Sequence, residues 1–115
     1  MIISNLANIK KSIIMTNITI QEEDNNMVAI LRGRLDTPAT PDAERALKPL
    51  FHCDDKDIIF DFTDLVYISS SSLRLLLEIL KNSKAHGHHV YLRGLSDMIR
   101  EAFVLTGFIE LFEYL

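Results

Sequence analysis

Four consecutive serines, Ser69–Ser72, join a short apolar run to a long amphipathic segment, and this junction constrains the fold more than any other feature. The run before them, residues 58–62, reads Ile-Ile-Phe-Asp-Phe and is typical of a buried central strand. After them, leucines recur at helical spacing from about Ser70 to Ala85, and Gly87 predicts the end of the helix. A buried strand leading directly into a helix indicates an α/β domain.

The segments on either side continue this alternation of strands and helices. Residues 17–22 and 27–31 flank an Asp-Asn-Asn turn and predict a β-hairpin that Gly33 closes. The triplet Thr40-Pro41-Asp42 offers a capping hydroxyl, a first-turn proline and an acid, so it predicts a helix start. Pro49 is expected to end or kink that helix.

The last part of the chain adds a strand over residues 89–92 and a helix from Ser96 to Leu105, which Gly107 ends. The apolar tail, residues 108–115, predicts a short strand or helical turn. The predicted order is therefore β-β-α-β-α-β-α, an α/β sandwich in which helices cover a mixed sheet of about four to five strands.

Size and charge narrow the classes of function. A chain of 115 residues fits one domain, predicted over residues 15–115, with residues 1–14 as an N-terminal extension. A net charge of −4 without a basic stripe argues against nucleic-acid binding. No apolar run reaches the roughly 18 residues that a membrane span needs. The single cysteine, Cys53, excludes an internal disulfide and fits a reducing cytoplasm.

The serine tract at the predicted helix start has three interpretations. One serine can cap the helix while the others are polar turn residues. The helix start can attract an anion such as phosphate. One serine can also receive a phosphoryl group, whose charge of about −1.5 to −2 would repel or obstruct a protein docked there. Residue chemistry alone favours capping, because serine is a preferred residue at this position.

The helix after the serines has a wider apolar arc than one sheet face requires. Leucines 73, 76, 77 and 80 cluster on one face, while Leu75 and Ile79 fall between this face and the charged one. Packing against a neighbouring helix explains Leu75 and Ile79. A partner-binding surface beside the serines is the alternative.

Four short motifs, in register along the chain, resemble those of the STAS domain family. Residues 66–74, Val-Tyr-Ile-Ser-Ser-Ser-Ser-Leu-Arg, are similar to its strand that leads into Asp/Ser-Ser-Ser/Thr/Ala-Gly-Leu and a helix. Residues 33–36 resemble its G-x-L-D motif, and residues 59–62 its strand ending in Asp-Leu-Ser. Residues 105–108 resemble its late L-T-G-hydrophobic turn. The resemblance covers roughly residues 16 to 112.

The resemblance implies roles for particular residues. Ser70 takes the place of the family's phosphorylated serine, with Ser71 and Ser69 as second choices. Ser69 stands where aspartate is frequent, and Ser72 stands where glycine is usual. The implied partner-binding residues are Asp36, Asp61, Ser69, Ser71, Ser72, Leu73, Arg74, Leu75 and Ile79.

The implied function is that of an anti-sigma factor antagonist in the cytoplasm. The unmodified domain would bind an anti-sigma factor that is also a serine kinase, phosphorylation would release it, and a phosphatase would reset it. The departures at Ser69 and Ser72 keep an alternative open: a stand-alone STAS subunit of a lipid-transport or stress-signalling complex without phosphoserine control.

Catalytic, cofactor and metal sites have little support in the sequence. Asp36 and Asp61, predicted to lie near the serines, lack a placed histidine as a base and can equally serve as turn acceptors. The histidines at 52, 86, 88 and 89 are accompanied by one cysteine, which does not give zinc spacing. Cys53 lies among aspartates, which disfavour its thiolate. We therefore expect no enzyme, no cofactor and no metal.

Overall fold

The sheet follows the chain in sequence order. A computed structural model describes residues 17–115, so the predicted extension, residues 1–14, lies outside the described residues. The five strands lie side by side in the order β1-β2-β3-β4-β5. The first two are antiparallel and the later pairs are parallel, which confirms the predicted mixed sheet. Their bounds are β1 Ile18–Glu23, β2 Asn26–Leu35, β3 Ile58–Ile68, β4 Val90–Arg93 and β5 Glu113–Tyr114.

The helices of residues 17–115 cover one face of this sheet. They are α1 Thr40–Ala46, α2 Lys48–Phe51, α3 Ser70–Ala85 and α4 Asp97–Thr106. Right-handed crossovers between parallel strands taken in sequence order place each helix on the same side. The core therefore forms between the helices and alternate strand residues, for example Phe62, whose ring meets that of Phe103 edge-on at 5.6 Å. No helix among the described residues is long and apolar enough to cross a bilayer.

The long parallel pair β2–β3 corrects the predicted hairpin boundary. Gly33 does not close β2, which continues to Leu35, and β3 runs on to Ile68. The pairing register shifts between Gly33 and Arg34, and Gly33 has φ +71°, a backbone conformation that glycine adopts without strain. The bulge lets both strands extend well beyond β4, which pairs with β3 only up to Asp61.

The helix starts and stops agree with the sequence at most positions and differ at Thr40. Thr40 was predicted as a cap but is itself the first residue of α1. Asp36 instead caps a 3-10 turn, Thr37–Ala39, that leads directly into the helix. Pro49 lies at the start of α2, after a break at Leu47, as expected from its missing N–H. Ser96 caps α4 and Gly107 ends it.

Candidate functional site

The candidate site forms where β2 and β3 end together. The backbone N–H of Ser69 donates to the carbonyl oxygen of Leu35 at 2.7 Å, so the last pairing of the two strands holds the start of α3 beside the end of β2. Asp36 follows β2 and Ser70 begins α3. The carboxyl ends of parallel strands are where α/β proteins place their functional groups. The prediction that Asp36 lies near the serines is consistent with this geometry.

Two of the four serines, Ser69 and Ser72, are buried and stabilise the start of α3. Ser69 is 5% exposed, and its Oγ accepts a hydrogen bond from the Ser72 backbone N–H at 3.2 Å. Ser72 is 1% exposed, and its Oγ lies 3.2 Å from the Ser69 Oγ and 3.3 Å from the Thr40 Oγ1. These contacts satisfy the buried hydroxyls and fasten α3 to α1. Ser69 is therefore the helix cap, as the capping interpretation expects.

The other two serines face outward. Ser70 is exposed and Ser71 is half-buried. Ser70 is the first residue of α3, where backbone N–H groups have no intrahelical acceptor and the helix dipole favours negative charge. A phosphoryl group on Ser70 would thus meet solvent and a favourable local field. Of the four serines, Ser70 is the most exposed.

Asp36 has a structural contact at this site. Its Oδ1 accepts a hydrogen bond from the Ala39 backbone N–H at 3.1 Å, and the side chain is half-buried. The hydroxyl of Thr40 donates to the Asp36 carbonyl oxygen at 3.3 Å. Asp36 therefore holds the turn that carries Thr40 to Ser72.

Asp61 does not lie near the serines, contrary to the sequence prediction. It is seven residues before Ile68 on β3, which is about 20 Å along an extended strand. Its side chain is on the sheet face that the helices leave uncovered, because Phe60 and Phe62 point into the core. Sequence spacing placed it at the strand end only because the extension of β3 was not predicted.

The partner-binding prediction also requires correction for the apolar residues of α3. Leu73, Leu75 and Ile79 are 1%, 7% and 0% exposed, so their side chains belong to the core. The helix packs on the sheet and on α1 and α2 at once, which rotates its buried arc toward Leu75 and Ile79. Leu77 is only half-buried. Packing against neighbouring helices is therefore the correct interpretation of Leu75 and Ile79. Ser69 and Ser72, which were also predicted to bind a partner, are likewise buried.

The surface beside Ser70 combines one predicted residue with others that the sequence analysis missed. Arg74 is exposed on the first turns of α3, as a docking residue requires. Tyr67 is 38% exposed, and the Arg34 guanidinium stacks over its ring at 4.6 Å. Met98 and Leu105 of α4 are 62% and 79% exposed and line a shallow cleft of about 150 Å³ with Tyr67. The sequence held one signal for this cleft, namely the apolar residues Met98 and Leu105 on the predicted last helix.

Two of the histidines, His88 and His89, contact carboxylates, while His86 Nδ1 lies 2.8 Å from the Asn82 carbonyl oxygen. His88 Nδ1 lies 3.1 Å from Asp57 Oδ1, and His89 Nδ1 lies 2.5 Å from Glu113 Oε2. Cys53 is buried, with its Sγ 3.7 Å from the Lys56 carbonyl oxygen. Within residues 17–115, no three metal-ligating side chains come together.

Asp61 instead belongs to an ion-pair network on the uncovered sheet face. Its Oδ1 accepts from the Thr63 backbone N–H at 2.9 Å and from the Thr63 hydroxyl at 2.7 Å. Its Oδ2 accepts from Arg93 Nε at 3.0 Å, and Arg93 also reaches Glu23 at 3.3 Å. Burial alone would raise the pKa of Asp61, but the hydrogen bonds from Thr63 and Arg93 outweigh it and hold the pKa below its ordinary 3.8.

This network predicts a measurable pH dependence of stability. A carboxyl group whose pKa is lowered in the folded state stabilises that state at pH values above its ordinary pKa. This stabilisation is lost as the pH falls below the ordinary pKa, because the unfolded chain then binds the proton before the folded chain does. We expect Arg93→Met to lower the free energy of unfolding near pH 7 by about 1.5 kcal/mol, the value of a hydrogen bond to a charged group. The difference from wild type should shrink below about pH 4.

Urea unfolding at pH 7 and pH 3 measures this difference. Arg32→Met is the matched control, because Arg32 is exposed and donates to the neutral hydroxyl of Thr19. Its effect should be within about 0.5 kcal/mol at both pH values. An Arg93→Met deficit that is equally large at pH 3 would contradict the ion-pair assignment.

Comparisons with known proteins find relatives along most of this chain. The sequence profile of the STAS domain family matches residues 17–114. The anti-sigma-B factor antagonist of Staphylococcus aureus is 28% identical over 95 residues, which are 83% of this chain and 88% of that protein.

Solved structures share the fold. An anti-sigma-factor antagonist (STAS) domain protein from Planctomyces limnophilus superposes with a TM-score of 0.76 at 19% identity, covering 84% of this chain and 87% of its own. The Bacillus cell fate determinant SpoIIAA in its phosphorylated form superposes with a TM-score of 0.64 at 20% identity. The match covers 85% of this chain and 90% of the SpoIIAA chain.

Proposed function

Since this chain belongs to the STAS domain family, we propose that it is an anti-sigma factor antagonist whose docking is switched by phosphorylation of Ser70. The unmodified domain binds an anti-sigma factor and so frees a sigma factor for transcription. A phosphoryl group on Ser70 releases the anti-sigma factor. The name of the Staphylococcus aureus relative supports the class of partner.

The difference in exposure among the four serines carries this proposal. Ser69 and Ser72 are 5% and 1% exposed and bonded to each other, so modification of either would require the helix start to open. Ser70 is exposed at the first position of α3 and needs no rearrangement. The helix dipole tolerates a dianion at this position in the free domain, while an interface would have to desolvate it.

The proposed cycle also needs a kinase and a phosphatase. We propose that the anti-sigma factor is itself the ATP-binding serine kinase and that a separate phosphatase removes the phosphate. The domain acts as a substrate and binding module in the cytoplasm and not as an enzyme. Asp36 supports the 3-10 turn through the Ala39 N–H. Among residues 17–115, the side chains of His86, His88 and His89 contact Asn82, Asp57 and Glu113 rather than a serine.

Phosphate transfer tests the acceptor. Purified chain is used to capture its anti-sigma factor from the cells in which the chain is native, and the pair is incubated with ATP. We expect intact-mass analysis to show one added phosphate on the wild type and none on Ser70→Ala.

Ser71→Ala is the matched control, because it removes the neighbouring hydroxyl while leaving Ser70 in place. It should be phosphorylated like the wild type. Full phosphorylation of Ser70→Ala would refute the assignment. Capture of a membrane transporter complex with no ATP-binding kinase would favour the alternative, a STAS subunit without phosphoserine control.

A further inference from the structure

Arg74 lies one helical turn after Ser70 on the exposed side of α3. Residues four apart on a helix have Cβ atoms about 5–6 Å apart, so the two side chains are neighbours. Arg74 is exposed, and among residues 17–115 its guanidinium makes no ion pair. A charged group with this freedom is available to an anion on Ser70 or on another protein.

The nearest acid on the same helix does not form an ion pair with Arg74. Glu78 follows it by one turn, but an arginine that precedes its acid has the less favourable orientation against the helix dipole. Glu78 instead borders a cleft of about 390 Å³ with Arg45 and Lys48 of α1 and α2. An anion at position 70 would precede Arg74, which is the favourable orientation.

Building on the proposed phosphorylation of Ser70, we propose that Arg74 is the second half of the switch. In the unmodified domain its guanidinium contacts a carboxylate of the anti-sigma factor. After phosphorylation it turns back and binds the phosphate of Ser70. The planar fork of arginine suits this exchange, since it donates two parallel hydrogen bonds to either carboxylate or phosphate oxygens.

The exchange reverses the charge that the partner meets. The exposed surface formed by Ser70 and Arg74 carries about +1 before modification and about −0.5 to −1 afterwards, given a phosphate charge of about −1.5 to −2. The carboxylate of the partner then loses its cation and faces a dianion. Phosphorylation thereby removes an attractive contact and adds a repulsive one, which together give a sharper switch than steric obstruction alone.

The phosphate itself reports the contact, without any kinase. Phosphoserine is installed at position 70 by genetic encoding, and its ³¹P resonance is titrated with pH. We expect the midpoint to lie about 0.2–0.4 pH units lower in the wild type than in Arg74→Ala, the size that an i,i+4 ion pair gives. Lys81→Ala is the matched control: Lys81 is exposed on the same side of α3 but three turns from Ser70, so its midpoint should match the wild type. Equal midpoints for the wild type and Arg74→Ala would overturn the proposal.

Binding to the captured anti-sigma factor separates this inference from the proposed function. We expect phosphorylation to cost about fivefold less affinity in Arg74→Ala than in the wild type, because the cation is already absent. An equal loss in both proteins would overturn the role of Arg74 while leaving Ser70 as the switch. A phosphate that leaves affinity unchanged in the wild type would instead overturn the proposed function.

Discussion

Replacement of Ser70 by aspartate should weaken binding of the anti-sigma factor by about 100-fold while the domain stays folded. The side chain of residue 70 is exposed at the helix start, so a carboxylate there is solvated in the free domain and favoured by the helix dipole. Docking would desolvate this charge and set it beside the carboxylate of the partner that Arg74 contacts, at a cost of several kcal/mol. A loss of about 2.7 kcal/mol corresponds to the expected factor.

Ser70→Asn separates charge from shape. Asparagine has nearly the same size as aspartate and is neutral, so its affinity should lie within a fewfold of the wild type. Titration calorimetry against the captured anti-sigma factor gives the dissociation constants, and circular dichroism checks the fold. Equal losses for asparagine and aspartate would contradict the electrostatic mechanism and indicate steric obstruction.

Truncation of Ile79 to alanine should cost about 3 kcal/mol of unfolding free energy and leave the affinity of the folded protein within about twofold of the wild type. The side chain is 0% exposed and packs inside the core beneath α3. Removing it leaves a cavity that the surrounding side chains fill only in part. The loss is a property of the core and not of the docking surface.

Glu78→Ala is the control for this substitution, since Glu78 is the preceding residue and is exposed. Its unfolding free energy should change by about 0.5 kcal/mol or less. Urea denaturation supplies the stabilities, and binding is measured on the folded fraction. If Ile79→Ala kept full stability and lost affinity, the residue would belong to the interface after all.

The order of strands and helices could be predicted because local chemistry decides each of these elements. Ser96 and Gly107 bound the last helix through a side-chain cap and a positive φ of +77°, both of which are readable from residue type. Pro49 breaks the first helical region because proline lacks an N–H. The mixed sheet of about four to five strands followed from these elements together.

The length of β2 and β3 could not be predicted in the same way. Their extension past Gly33 depends on a bulge and on pairing between distant segments, which a local pattern does not report. The displacement of Asp61 from the serines is a direct consequence. Similarly, the helical wheel of α3 gave the charged side correctly, but which apolar residues are buried depends on the second layer of packing against α1 and α2.

The serines illustrate the limit at the site itself. Four identical side chains carry no local signal that distinguishes them, and the resemblance alone selected Ser70. The structure separates them by burial, since Ser69 bonds to Ser72 inside the junction, and Ser72 also bonds to Thr40. Exposure of Ser70 is therefore a property of how α3 joins β3 and packs on α1.

The most direct test of the central claim is a pair of dissociation constants for the anti-sigma factor, measured with the wild-type chain and with the chain carrying phosphoserine only at position 70. We expect nanomolar to micromolar binding for the unmodified chain and at least about a 100-fold weaker constant for the phosphorylated one. Equal constants would contradict the claim that a charge at the start of α3 controls docking.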